Sequence, residues 1–185
     1  MLKEAYQEAE ARMKGALEVL EEDLGGIRTG RANPTLVEKL QVEYYGSLTP
    51  LMQLATITVP EARSLLIRPF DASTLKTIER AILASDLGLT PNNDGKSIRL
   101  NLPPLTEERR RELVKVVHHR LEDARISVRN IRRDSIKDIH EFEQEKLISE
   151  DERKRAEVEF QKMTDKYIEE VGVIGSRKEK EIMEV

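Results

Sequence analysis

Two stretches of this 185-residue chain come near an enzyme motif, and neither completes it. His140-Glu141 opens as a zinc-protease helix does, where two histidines four apart hold the metal and the glutamate serves as base. Position 144 is Gln, so the second ligand is missing. His118 and His119 are the remaining histidines, about 30 Å away along one helix and too far to share an ion. They read as solvated or interface side chains. Gly95-Lys96-Ser97 matches the tail of a phosphate-binding loop, but that loop needs a glycine where Thr90 stands. The segment also leads into the strand-like Ile98-Arg99-Leu100 instead of a helix N-terminus, so it reads as a hairpin turn. There is no G-x-S-x-G and no G-x-G-x-x-G. The chain has no Cys, which excludes thiol catalysis, Cys-ligated zinc and a disulfide framework, and fits a reducing compartment. No catalytic, cofactor or metal residue is assigned, and the expectation is a protein that is not an enzyme.

The arginines are more informative. Between Glu107 and Arg133 nine Lys/Arg stand against five acids, and from Asp134 to Phe160 the balance inverts to five against ten. Helical projection places Arg111, His118, Arg125, Arg129 and Arg132 within about 60° of one another, with Arg133 flanking and Glu122 interrupting. Arginine suits bidentate phosphate contact and stacking on bases. A stripe on a rigid helix with few aromatics favours structured RNA, read by shape and backbone, over single-stranded bases. An exposed face laced with salt bridges is the other reading of the same pattern.

Long helices must position these residues. Leu2, Tyr6, Ala9, Met13, Leu17, Leu20, Leu24 and Ile27 keep one face of a first helix apolar across residues 2–29, through Gly25 and Gly26, with Gly30 closing it. A second helix is expected after Pro103-Pro104, with Thr106 as N-cap and a reach to Leu147. Its seam of Leu113, Val117, Leu121, Ala124, Val128, Ile131, Ser135, Ile139 and Phe142 spans only about 80° of arc, as in a coiled coil. Ser149 and Glu152 form a capping box for a third helix with Ala156, Phe160, Met163, Tyr167, Val171, Ile174 and Ile182 inward. Gly172 and Gly175 weaken its last turns. Three such stripes bury one another in an antiparallel bundle.

Residues 31–105 break the helical pattern. Leu40/Val42/Tyr44, Ala55/Ile57/Val59 and Ile98/Leu100/Leu102 alternate as half-buried strands do, and Ser64–Arg68 adds another. Asp71–Ser85 carries a short helix with Leu75, Ile78 and Ile82 inward, and Asn92-Asn93-Asp94-Gly95 is a turn cluster. The fold class expected is α+β: a long antiparallel three-helix bundle (1–30 plus 106–185) with an inserted small β/α/β domain (31–105). The chain leaves the bundle near Gly30 and returns near residues 103–105, which makes two adjacent crossings and a hinge.

Composition agrees. Charged residues make up 36% and aromatics 4%, a profile of long solvated helices. The net charge of −4 rules out uniform attraction to nucleic acid but leaves a local basic face open. No apolar run approaches the ~18 residues of a membrane span, and the start lacks the apolar stretch of a signal peptide. A cytoplasmic protein without a membrane partner is expected.

At Ile27-Arg28-Thr29-Gly30-Arg31-Ala32-Asn33-Pro34 and Val128-Arg129-Asn130-Ile131-Arg132-Arg133-Asp134 the chain closely resembles the bacterial ribosome recycling factors. The resemblance runs through Tyr44-Tyr45-Gly46, Thr49-Pro50-Leu51, Ser85-Asp86-Leu87-Gly88-Leu89 and Pro104-Leu105-Thr106-Glu107-Glu108-Arg109-Arg110, nearly the whole length. One departure is Ile136, where some members are polar. The resemblance implies a roughly L-shaped pair of domains and a factor that, with elongation factor G and GTP, separates the subunits of the post-termination ribosome. It implies that the bundle docks on large-subunit rRNA through Arg28, Arg31, Arg129 and Arg132, Arg132 foremost, with Arg110 and Arg133 supporting; the stripe adds Arg125. The implied hinge is Gly30 with Pro103, Pro104 and Leu105. GTP would be used by the partner, and the chain itself would need no cofactor. The competing class is a chaperone cofactor with a helical stalk and a small β domain. Such cofactors dimerise through the stalk, whereas here the returning helices can fill the seam within a monomer.

Overall fold

The structure, a computed structural model, describes residues 1–184. In chain order it comprises α1 (Leu2–Gly25), α2 (Thr35–Glu38), β1 (Gln41–Tyr44), β2 (Ser47–Pro50), α3 (Leu51–Leu54), β3 (Ala55–Glu61) and β4 (Ser64–Pro69). A 3-10 turn at Ala72–Thr74, α4 (Leu75–Ala84), β5 (Pro91–Asn93), β6 (Ile98–Asn101), α5 (Glu107–Gln144) and α6 (Glu150–Met183) follow. The chain divides into two compact units, Met1–Arg28 with Glu107–Glu184, and Thr29–Thr106.

The first unit is α1, α5 and α6. Early α1 lies against late α5, since Arg12 meets Asp134 at 3.0 Å, while Gly15–Asp23 shares a groove with Arg120–Ile131. These two helices are therefore antiparallel. Tyr6 packs on Phe160 with ring centroids 4.9 Å apart, and the Tyr167 hydroxyl donates to Glu10 at 3.0 Å, so α6 runs parallel to α1. Eight members of the α5 seam, Leu113 through Ile139, are buried, and Phe142 at its end is half-buried. Ser135 sits in this apolar seam because its hydroxyl donates to the Ile131 carbonyl at 2.9 Å; Thr164 of α6 does the same to Phe160 at 2.8 Å. A buried hydroxyl that satisfies itself on its own helix costs little.

The helix ends differ from the sequence pattern in three places. α1 stops at Gly25, with Gly26 as its cap, four residues short of the expected helix end at residue 29. Two consecutive glycines lower helix propensity by about 2 kcal/mol relative to alanine, more than the half-buried Ile27 recovers. α5 stops at Gln144 because Lys146 takes φ +60. Leu147 N–H then donates to Phe142 O and Lys146 N–H to Glu143 O, both at 2.9 Å, a Schellman closure without glycine. α6 passes through Gly172 and Gly175 to Met183. Gly175 is where Leu121 of α5 comes close, so it is a packing glycine and not a terminator. On α6 Thr164 and Gly175 are buried, while Met163 and Ile174 are half-buried. The capping box at Ser149 and Glu152 is present.

The second unit holds a four-stranded antiparallel sheet in the order β3-β4-β6-β5 and a separate β1-β2 hairpin. Val37, Val42, Leu51, Leu54, Leu65, Ile67, Leu75, Ile78, Ile82, Ile98 and Leu100 form its core. The inward face of α4 is Leu75, Ile78 and Ile82, as its spacing predicts. Ala55 is buried and Ile57 half-buried, but Val59 is 40% exposed because the β3-β4 register shifts between Thr58 and Glu61. A bulge adds a residue and turns later side chains to the other face. β5 occupies part of the Asn92–Gly95 cluster. Asp94 turns the chain into β6, its carboxylate accepting from the N–H of Lys96 and Ser97 and from the Ser97 hydroxyl, with Gly95 at φ +90. Gly95-Lys96-Ser97 is thus a hairpin turn.

Candidate nucleic-acid interface

The basic stripe lies along the flank of α5 that borders α6. Three contacts fix that flank: Arg110 Nη1 donates to Met183 O at 2.8 Å, His118 meets Glu179, and Arg132 Nη1 donates to Gln161 Oε1 at 2.5 Å. Between them Glu122 pairs with Arg125 at 3.5 Å and Arg129 at 3.2 Å. Arg111 pairs with Glu107 one turn back. Both readings of the stripe are therefore visible together, a row of guanidinium groups held by exposed carboxylates. Exposed pairs of this kind are worth about 0–1 kcal/mol each, so a phosphate oxygen can exchange for the carboxylate at small cost.

Arg28, Arg31 and Arg133 are exposed, and among the described residues their side chains make no hydrogen bond or ion pair. Arg133 follows Arg132 on α5. Arg28 follows α1, whose C-terminal end lies at the N-terminal end of α5 by the antiparallel pairing. Arg31 belongs to the second unit. Gly30 takes φ +80, while Pro103, Pro104 and Leu105 carry no regular structure.

Two α6 residues in this ridge escaped the sequence reading. Gln161 accepts from Arg132, and its Nε2 donates to Asp165 Oδ1 at 2.8 Å. Their signal was present as a polar pair four apart on α6, but which α5 residue they would meet depends on the register between helices. The Nε atoms of Arg110 and Arg132 are closed off from solvent without a partner, and one terminal amine of each is engaged within the bundle, Arg110 Nη1 by Met183 O and Arg132 Nη1 by Gln161.

The opposite end of the bundle is different. Arg153, 15% exposed, bridges Glu143 at 2.8 Å and Glu157 at 2.6 Å, and His140 meets Glu157 at 2.8 Å. The hydrogen bond to Glu157 raises the Arg153 pKa. Ser149, through its N–H and then its hydroxyl, holds the Glu152 carboxyl below its usual range. Lys154 does so for Glu150. His119 lies 3.7 Å from Asp123. Each histidine faces its own carboxylate, and among the described residues no three His, Cys, Asp or Glu gather as a metal site. No helix among them is long and apolar enough to cross a membrane. The arrangement suits electrostatic docking on a polyanion of fixed shape, with acids at the other end of α5 opposing misplaced binding.

Known proteins share this plan. The family model described as "Ribosome recycling factor" matches residues 20–183. The chain is 57% identical to the ribosome-recycling factor of Symbiobacterium thermophilum and 54% to that of Roseiflexus castenholzii, each over 100% of both chains. Among solved structures it is similar to a solution structure of the ribosome recycling factor, with TM-score 0.73, 49% identity, and coverage of 100% of this chain and 98% of that one. A second match has TM-score 0.63 and 49% identity over 99% of both chains. It is described as models for the T. thermophilus ribosome recycling factor and the E. coli elongation factor G bound to the E. coli post-termination complex.

Proposed function

The chain belongs to the ribosome recycling factor family, and from that membership we propose how its residues act on the ribosome. It is a translation factor that binds the post-termination ribosome. With elongation factor G and GTP it promotes separation of the subunits and release of mRNA and tRNA for a new round. The observation that carries the reading is α5, 38 unbroken residues with a buried seam and a guanidinium ridge along one flank.

On this reading the ridge docks on backbone phosphates of large-subunit rRNA through Arg110, Arg125, Arg129, Arg132 and Arg133, and Arg28 and, in the second unit, Arg31 make phosphate contacts of their own. The chain breaks no bond and carries no cofactor; GTP is hydrolysed by elongation factor G. It works as a cytoplasmic monomer. Its stiff bundle transmits force, and the second unit follows the moving partner on a hinge formed by Gly30 with Pro103, Pro104 and Leu105.

Arg132→Ala tests the docking. A phosphate contact releases counterions, so the variant binds post-termination ribosomes more weakly, and the slope of log affinity against log salt falls by about one. Wild-type affinity and slope in that variant contradict the assignment.

A further inference from the structure

We propose that Gln161, oriented by Asp165, is a positioning residue that holds Arg132 ready for RNA; this rests on the ridge being the RNA contact. Arginine only donates and a carboxylate only accepts, so the amide of Gln161 has one orientation that satisfies both neighbours. Oε1 faces Arg132 Nη1 at 2.5 Å, and Nε2 faces Asp165 Oδ1 at 2.8 Å. Asp165 therefore acts on Arg132 by preventing the amide from turning over.

The guanidinium is held from two sides. Its Nε is closed off from solvent with no partner, and Nη1 is engaged by Gln161. Nη2 makes no bond among the described residues and is not closed off as Nε is, which leaves it as the outward donor. Gln161 and Asp165 are exposed on α6, outside the buried seam, so the two bonds lie at the surface of the bundle. Their consequence is local. A free arginine loses its rotamer freedom when it meets a phosphate, and one already fixed does not. Ordering one long side chain in advance is worth roughly two- to tenfold in affinity.

The test is a double-mutant cycle on the full chain, read as affinity for post-termination ribosomes at several salt concentrations. Gln161→Met keeps the length of the side chain and removes the acceptor. It binds roughly two- to tenfold more weakly, with an unchanged thermal midpoint and an unchanged salt slope, because the phosphate contact survives. Asp165→Asn retains an accepting oxygen and binds as wild type, whereas Asp165→Ala weakens binding. In an Arg132→Ala background Gln161→Met has no further effect. Wild-type affinity for Gln161→Met overturns the positioning role alone if Arg132→Ala is weakened. An equal loss in both backgrounds also overturns it, since Gln161 would then contact RNA itself. Wild-type binding and slope for Arg132→Ala overturn the docking reading and the positioning role with it.

Discussion

An alanine at Gly175 and an alanine at Gly172 are predicted to move stability in opposite directions. Both glycines lie inside α6, where replacement by alanine gains about 1 kcal/mol of helix propensity. At Gly172 the added β-carbon meets nothing within 4 Å, so the whole gain is realised. At Gly175 it falls 2.3 Å from Leu121 Cδ1, 3.0 Å from Cδ2 and 3.2 Å from Cγ. Leu121 is only 4% exposed and cannot swing into solvent. It must change rotamer within the seam, or α5 and α6 must part, at a cost of about 1–3 kcal/mol. The net effect of Gly175→Ala is a loss of about 0–2 kcal/mol, and the two alanine variants differ by about 1–3 kcal/mol. Urea unfolding followed by helical circular dichroism reads this as a midpoint raised for Gly172→Ala and lowered for Gly175→Ala, at constant slope. Leu121→Ala should then cost less in the Gly175→Ala background than in the wild type, because it relieves the overlap. A Gly175→Ala variant as stable as Gly172→Ala would refute the close-packing argument.

Three further outcomes follow from the helix ends and the core. Lys146 holds a left-handed conformation that suits glycine, so Lys146→Gly raises stability by about 0.5–1 kcal/mol in the same assay. Ser149→Ala removes the N-cap of α6 and costs about 1 kcal/mol at neutral pH. Glu152, whose folded pKa is lowered by Ser149, stabilises the protein above the ordinary glutamate pKa, about 4.3, and that contribution is lost as pH falls through the lower folded value. The Ser149→Ala variant therefore loses less of its remaining stability than the wild type between pH 5 and acid, as melting curves across that range would record. Tyr167 is pushed up to about 12 by burial and then by its bond to Glu10. Its contribution is complete below the unfolded tyrosine value of about 10 and disappears as pH rises towards 12. Tyr167→Phe should flatten denaturant midpoints over that window, and an undiminished alkaline loss would count against this residue.

The bundle was legible because a narrow seam repeats in period with the helix over about eight turns of α5, and eight of its positions are buried. What the pattern could not convey was which partner each position meets. Gly175 read only as a weak point in the last turns of the helix because Leu121 lies 54 residues earlier in the chain, and only packing brings them together. The ridge followed from projection, but its anchors, Gln161 and Asp165, depend on how α6 slides along α5. In the second unit β2 and β5 went unread because Ser47–Pro50 shows no alternation of burial and Pro91–Asn93 has no branched or aromatic apolar residue to mark a strand. Their place is set by the strands they pair with.

The most direct test of the account is light scattering from post-termination ribosomes on adding this protein, then elongation factor G with GTP. The account predicts a fall in scattering, from subunit separation, that requires all three additions and is slowed in the Arg132→Ala variant. Unchanged scattering from ribosomes that do not bind the protein would contradict it.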